Sequence, residues 1–186
     1  MRAQAIGTVS PHVELTPVSQ FVELWPPYTA IDGAPAVLRI ELPLIAALRS
    51  PEHLLMYRQT RDGWEALPRL GEAGDLESGS TQFGVFAMME DTVAPRIRVI
   101  APASPGQQVS RRPEIKAEIR DEGSGIDRFN ATCNGQWLLM EYDPEQHLLI
   151  WERDEDLPAG PVRIEFEVTD RARNTSRREL ELTLPQ

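Results

Sequence analysis

Three aspartates at predicted strand ends are the residues whose type and spacing could bind a metal ion. Asp91 lies where one predicted β domain ends, and Asp121 and Asp170 each follow a strand of the next domain. In a two-sheet sandwich, the ends of the second and sixth strands can lie at the same pole. Carboxylate oxygens gathered there are the hard ligands that calcium prefers. The alternative is that each aspartate caps its own turn by accepting backbone hydrogen bonds.

Tryptophan and tyrosine side chains are the second group of candidate binding residues, because an exposed aromatic ring can pack against a sugar. Trp25 and Tyr28 flank two prolines, which stop a strand and favour exposure. They are therefore the candidate ligand-binding residues. Trp64 and Trp151 fall within strand patterns and are expected in the core.

Catalytic patterns are weak in this chain. His12, His53 and His147 have no ligand-like spacing to one another or to Cys133, so no zinc signature is present. Ser124 stands in a Gly-Ser-Gly turn, but a nucleophile elbow needs glycine where Glu122 stands. The sequence therefore predicts a protein that is not an enzyme.

Charge and composition exclude several partners. The 186 residues carry a formal net charge of −10, and residues 1–91 and 92–186 are both acidic, at −6 and −4. Neither nucleic acid nor an anionic membrane surface suits such a chain. One cysteine rules out an intrachain disulfide. No apolar stretch is long enough to span a membrane, and the first residues have no apolar signal core. The sequence predicts either a cytosolic protein or a piece of an exported one.

Alternating polar and apolar residues in the second half predict short, half-buried strands. Asn134-Gly135 lies between two such runs and predicts a two-residue hairpin. A further turn is expected at residues 142–145. About seven strands with turns at regular spacing are typical of an immunoglobulin-like sandwich. The paired cysteines and core tryptophan of antibody domains are absent, so the likeness concerns architecture.

The first half also consists of short predicted strands. Residues 1–12 are expected to be a frayed lead-in, and residues 44–48 are the one helix-like piece. The run 83–89 predicts a buried terminal strand, and a polar break with Pro95 follows from residue 90. We therefore predict an all-β chain of two tandem β-sandwich domains, residues 1–91 and 92–186. The alternative is a loop within one large sandwich.

Several motifs of the second half resemble bacterial immunoglobulin-like modules of envelope and secreted proteins. The matching segments are 91–95, 121–126 and 169–174, where the family commonly reads D-T-x-x-P, D-x-G-S-G-I and D-x-A-G-N. Arg173 stands where the family has glycine, which argues against a left-handed residue there, because arginine tolerates positive φ poorly.

The first half resembles the β domain that precedes such a module in lysostaphin-like metallopeptidases and in surface proteins of Gram-negative bacteria. The matching segments are 35–42, 54–57, 63–64 and 83–87. A related set of domains cleaves itself at a His-Phe-Ser step. Gln82-Phe83-Gly84 stands there in this chain and lacks both base and nucleophile, so self-cleavage is not expected.

Together, these observations predict a non-enzymatic structural, adhesion or spacer module of a larger exported bacterial protein. The resemblance implies a periplasmic, cell-surface or secreted location, with other domains of the parent protein or cell-surface proteins as partners. No cofactor is expected apart from the calcium described above. The alternative is a carbohydrate- or peptidoglycan-binding accessory domain of a secreted hydrolase.

Overall fold

The computed structural model describes residues 2–6, 14–27, 29–31, 33–39, 50–70, 76–102, 110–151 and 155–186. Over these ranges the chain is all-β, which confirms the predicted fold class, and a 3-10 turn at Pro51–His53 is the single helical element. No described helix is long and apolar enough to cross a membrane. The strands are β1 (Arg2–Ile6), β2 (Leu15–Pro17), β3 (Phe21–Trp25), β4 (Ala36–Arg39), β5 (Leu54–Gln59), β6 (Trp64–Ala66), β7 (Glu77–Ser80), β8 (Val85–Asp91), β9 (Arg96–Ala101), β10 (Lys116–Arg120), β11 (Ile126–Cys133), β12 (Gln136–Trp137), β13 (Glu141–Asp143), β14 (Leu148–Ile150), β15 (Gly160–Asp170) and β16 (Thr175–Leu184).

Contacts along the chain define two compact units. The first unit comprises Met1–Val93 together with Glu122–Ser124 and Arg171–Asn174, so it includes two short segments from later in the chain. The second unit comprises the ranges Ala94–Asp121, Gly125–Asp170 and Thr175–Gln186. That the chain folds as two independent domains divided at residues 91 and 92 stays a prediction.

The first unit is built around β8. Its larger sheet has the order β1-β3-β8-β5-β6, with β2 also paired to β8, and β4 and β7 form a separate two-stranded sheet. Successive β8 side chains point to opposite faces, so Met89 joins one apolar cluster and Met88 the other. Both faces of β8 are therefore buried, which explains its uninterrupted apolar run.

Two expectations for the first unit are wrong. Residues 2–6 are not frayed, because β1 pairs with β3 along its whole length. The polar break does not begin at Glu90, since Glu90 pairs with Leu54 and Asp91 pairs with Leu15 as part of β8. In both cases pairing with a distant strand supplies the backbone hydrogen bonds and outweighs the local composition. The helix-like residues 44–48 lie outside the described residues.

The second unit is a sandwich of two four-stranded sheets, β13-β14-β10-β9 and β12-β11-β15-β16. Alternate side chains of both sheets form one core, so the polar and apolar pattern of the sequence is realised as outside and inside. Asn134 and Gly135 both have positive φ, 49° and 79°, and join β11 to β12 as the predicted hairpin. The turn expected at 142–145 begins later, because Glu141–Asp143 is a strand paired with β14.

Candidate functional site

Asp91 is a fully buried carboxylate at the end of β8. Its Oδ1 accepts a hydrogen bond from the backbone N of Val93 at 3.0 Å, and its Oδ2 accepts one from the backbone N of Ser124 at 2.7 Å. Gly123 packs directly against it, and a Cβ at this position would lie 2.3 Å from Oδ2. The absence of a side chain at residue 123 is thus what admits the carboxylate.

The two later segments of the first unit form a buried polar network with Asp91. The backbone N of Ala172 donates to Ser124 Oγ at 3.1 Å, and Asn174 Nδ2 donates to the backbone O of Asp91 at 3.0 Å. The backbone O of Ala172 lies 2.8 Å from His53 Nδ1. Because a carbonyl oxygen only accepts, His53 Nδ1 must carry the proton in this contact. The N–H and C=O of Ala172 and the C=O of Asp91 therefore each have a hydrogen-bond partner within this network.

Arg173 adopts the left-handed conformation, with φ of 68°. The expectation from its residue type was wrong, because the network holds the backbone of the preceding residue at both its N–H and its C=O. A non-glycine residue in this region costs about 1–2 kcal/mol. Arg173 also affects Arg69, whose guanidinium pKa is lowered by burial and, to a smaller degree, by the positive charge of Arg173.

The three predicted metal-binding aspartates are divided between the two units, with Asp91 in the first and Asp121 and Asp170 in the second. Asp91 and Asp170 are both buried. The capping role is realised, because Asp121 Oδ2 accepts a hydrogen bond from the backbone N of Gly125 at 2.6 Å. Calcium binding stays a prediction.

Histidine and cysteine do not gather in the described part of the chain. Within either unit, the described residues hold no group of three or more His, Cys, Asp or Glu side chains with metal-binding geometry. His147 lies in the turn between β13 and β14 with φ of 58°, and His12 lies outside the described residues. Cys133 is buried, and burial raises the pKa of its thiol.

The predicted aromatic residues have different environments. Trp25 is 48% exposed, and its Nε1 donates to Glu23 Oε2 at 2.9 Å. Tyr28 lies outside the described residues. Trp64 packs on Phe21 with ring centroids 5.6 Å apart, and Trp151 is buried, so both contribute to cores as predicted.

Trp137 is a candidate that the sequence did not single out. It is 69% exposed, the most exposed large hydrophobic residue among those described. Nearby is a half-open pocket of about 390 Å³. The pocket is lined by Cys133, Gln136, Trp137, Leu138, Leu139, Trp151, Glu155, Asp156, Leu157 and Pro158. The run from Gln136 to Met140 does not alternate cleanly, so its exposed and buried positions are not evident from the sequence.

The outward face of β15 and β16 is covered by charged side chains. Arg163 forms ion pairs with Glu165 and with Glu179 on the neighbouring strand. Arg177 Nε contacts Glu167 Oε2 at 2.6 Å across the same strand pair. The contact with Glu179 raises the pKa of Arg163. The described part of this face is an ion-pair ladder, and Phe166, the aromatic residue of β15, is buried in the core on the opposite face.

Comparisons with known proteins show weak similarities. No protein-family model matches the chain, and no curated protein matches it. The apo expansin of Clavibacter michiganensis is 14% identical with a TM-score of 0.33, over 70% of this chain and 68% of that one. Fibronectin(III)-like modules of Clostridium thermocellum CbhA are 11% identical with a TM-score of 0.40, over 100% and 95%. A mutant of the Clavibacter expansin in complex with cellohexaose is 17% identical with a TM-score of 0.31, over 70% and 68%. Similarities at this level carry no argument about function.

Proposed function

We propose that the chain is a non-enzymatic structural or docking module of a larger exported bacterial protein. The motifs shared with bacterial immunoglobulin-like modules support this proposal and imply a periplasmic, cell-surface or secreted location. Other domains of the parent protein, or proteins of the cell surface, are the expected partners. The described histidines also support a non-catalytic role, because His53 bonds a backbone carbonyl and His147 occupies a turn.

The ion-pair ladder on β15 and β16 is the observation that carries this proposal. Arg163 and Arg177 each face a carboxylate on the adjacent strand, so opposite charges are matched within the sheet itself. Exposed ion pairs add little to stability, at about 0–1 kcal/mol each. They do keep a long edge strand such as β16 hydrated and unattractive to other sheets. This is the surface expected of a module that must stay folded and soluble beside its neighbours.

The proposal is tested by mechanical unfolding of the chain inserted between reference domains of known unfolding force. A structural module should resist extension and unfold in discrete steps. Extension without a force peak, while the reference domains stay folded, would contradict the structural role. Saturable turnover of ester, glycoside, peptide or phosphate substrates that disappears on heat unfolding would contradict the non-enzymatic role.

Calcium binding by Asp91, Asp121 and Asp170 is part of the proposal. Their residue type and the burial of Asp91 and Asp170 support it, because carboxylate oxygens are the ligands that calcium prefers. An ion held there would be bound by strand ends and would add its binding free energy to the folding free energy. Chelation should therefore destabilise the protein if the site is used.

The second candidate function is a carbohydrate- or peptidoglycan-binding accessory domain. The exposure of Trp137 beside a pocket favours it. A large exposed aromatic residue is a typical anchor for a ligand or partner.

A further inference from the structure

The pocket beside Trp137 combines an exposed ring, an apolar floor and a rim of hydrogen-bonding groups. We propose that it is a binding site for a neutral oligosaccharide, in which one face of a pyranose ring packs against Trp137. This inference rests on the second candidate function and adds the position and the class of ligand. It moves the expected sugar-binding residue from Trp25 in the first unit to Trp137 in the second.

The backbone explains why Trp137 is exposed. Strand β12 has two residues and begins directly after the Asn134-Gly135 turn. Trp137 pairs with Thr132 in the edge strand of the sheet, and its side chain is 69% exposed. The backbone N of Leu138 donates to the O of Ala131 at 2.9 Å, which continues the pairing and turns Leu138 into the core. The ring is therefore presented by a short, well-paired hairpin.

The floor of the pocket is rigid and apolar. Cys133, Leu138 and Trp151 are all at least nine-tenths buried and belong to the core of the second unit. Beside them, Leu139 is 54% exposed and extends the apolar wall. A volume of about 390 Å³ lies within the range of roughly 300–1,000 Å³ typical of small-molecule sites. Such a surface suits the C–H face of a sugar, which the negative face of an indole ring attracts.

The rim supplies acceptors for hydroxyl groups. Gln136, Glu155 and Asp156 line the pocket, and carboxylates and amides accept hydrogen bonds from hydroxyls. Asp156 is held by Arg112, whose Nε lies 2.6 Å from its Oδ1, and this bond lowers the pKa of Asp156. Arg111 also holds the rim, because its backbone O and its Nε both bond Leu157, at 2.9 and 3.1 Å. Asp156 is therefore positioned before a ligand arrives, which reduces the entropic cost of binding.

Charge favours a neutral sugar over a basic peptide. Arg111 and Arg112 both pair with Asp156, and Arg111 Nη1 lies 3.7 Å from Asp156 Oδ2. Glu155 is the other acid of the rim. These four charges sum to zero, so the described rim has no net attraction for a cationic ligand. The Trp137 ring and the acceptors for hydroxyl groups are therefore the features that would select a sugar as the ligand.

Calorimetric titration of the full chain with cellohexaose, xylohexaose, mannohexaose, maltohexaose and the hexamer of N-acetylglucosamine tests the proposal. At least one of these should bind in the millimolar range or tighter. Trp137→Ala should weaken that binding about tenfold or more, as for an aromatic anchor. Trp137→Phe should weaken it less. Val37→Ala is the control, because Val37 is also an exposed hydrophobic residue but does not line the pocket, and its substitution should leave affinity unchanged.

Two outcomes would overturn the inference. One is that none of the five hexaoses binds, and the other is that Trp137→Ala binds as well as the wild type. Binding of a lysine-rich peptide that competes with the sugar at this pocket would indicate a peptide site instead. None of these results bears on mechanical unfolding, so failure of the sugar site and failure of the structural role remain distinguishable.

Discussion

Replacing Gly123 by alanine should disrupt the buried network around Asp91. The new Cβ would lie 2.3, 2.7 and 2.9 Å from Oδ2, Cγ and Oδ1 of that side chain. No carbon atom tolerates three such contacts, so the carboxylate or the loop must move. Movement would lengthen the 2.7 Å bond to the Ser124 N–H and the 3.0 Å bond to the Val93 N–H.

The expected cost follows from these contacts. Overpacking costs about 1–3 kcal/mol, and weakening one charge-assisted hydrogen bond costs about 1.5–3 kcal/mol. We expect Gly123→Ala to lower the free energy of unfolding by about 3 kcal/mol, which corresponds to a fall in Tm of roughly 6–12 °C for a chain of this length. The measurement is urea unfolding followed by tryptophan fluorescence, in EDTA so that metal binding does not contribute. Gly84→Ala is the matched control, because its Cβ would meet nothing nearer than 3.8 Å, and it should cost far less.

A double-mutant cycle with Asp91→Ala isolates the clash. Asp91→Ala alone should cost about 2–4 kcal/mol, because two buried N–H groups lose their acceptor. In that background the methyl group of Gly123→Ala has room, so its added cost should fall below about 0.5 kcal/mol, a coupling of more than about 2 kcal/mol. If Gly123→Ala is harmless in the wild type, or equally costly without the Asp91 carboxylate, the packing argument is wrong.

Three further predictions concern the second unit and the predicted metal-binding aspartates. Millimolar calcium should raise Tm reversibly, and Asp121→Asn with Asp170→Asn should abolish the rise; no rise in the wild type would exclude a stabilising calcium site. Burial holds the pKa of Cys133 above its unfolded value, so its contribution to stability is present at neutral pH and is lost above about pH 9. The urea midpoint should therefore fall less steeply from pH 8 to pH 10.5 in Cys133→Ala than in the wild type, and equal slopes would refute this. Gly135→Ala should cost about 1–2 kcal/mol at its φ of 79°, whereas Gly135→Asn should cost less, and the reverse order in thermal unfolding would contradict the turn assignment.

The sequence predicted those features of the fold that depend only on residues close together in the chain. The Asn134-Gly135 turn and the alternating strand β15 were predictable because each follows from residue type at short range. Strand β1 was not, because its identity depends on pairing with β3, some twenty residues away. That Asp91, Asp121 and Asp170 share a calcium ion stays a prediction. Asp91 accepts a hydrogen bond from the backbone N of Ser124, which is 33 residues further along the chain. The sequence did not predict this partner, because it depends on how the chain folds.

The side chains of Arg173 and Trp137 show where residue type alone is insufficient. Arginine is a poor left-handed residue, yet Arg173 takes that conformation because hydrogen bonds to the residue before it determine the path of the chain. Tryptophan is usually buried, yet Trp137 is exposed because β12 ends after two residues and Leu138 occupies the core position. In each case an adjacent residue decided the conformation or exposure of the side chain. Ala172 is held by Ser124 and Leu138 by Ala131, and neither contact is evident from residue type.

The segment D-x-G-S-G-I has a physical role that requires no catalysis. Asp121 accepts from the backbone N of Gly125, Gly123 leaves room for the Asp91 carboxylate, and Ser124 bonds both that carboxylate and the Ala172 N–H. Asp121, Ser124 and Gly125 thus each take part in a hydrogen bond that holds this loop. Ser124 Oγ accepts a hydrogen bond within a buried network, whereas a nucleophile must reach its substrate. The pattern that superficially resembles a nucleophile elbow is therefore better explained as the packing of a loop around a buried carboxylate. Ser124→Ala should accordingly change stability, and no activity should depend on it.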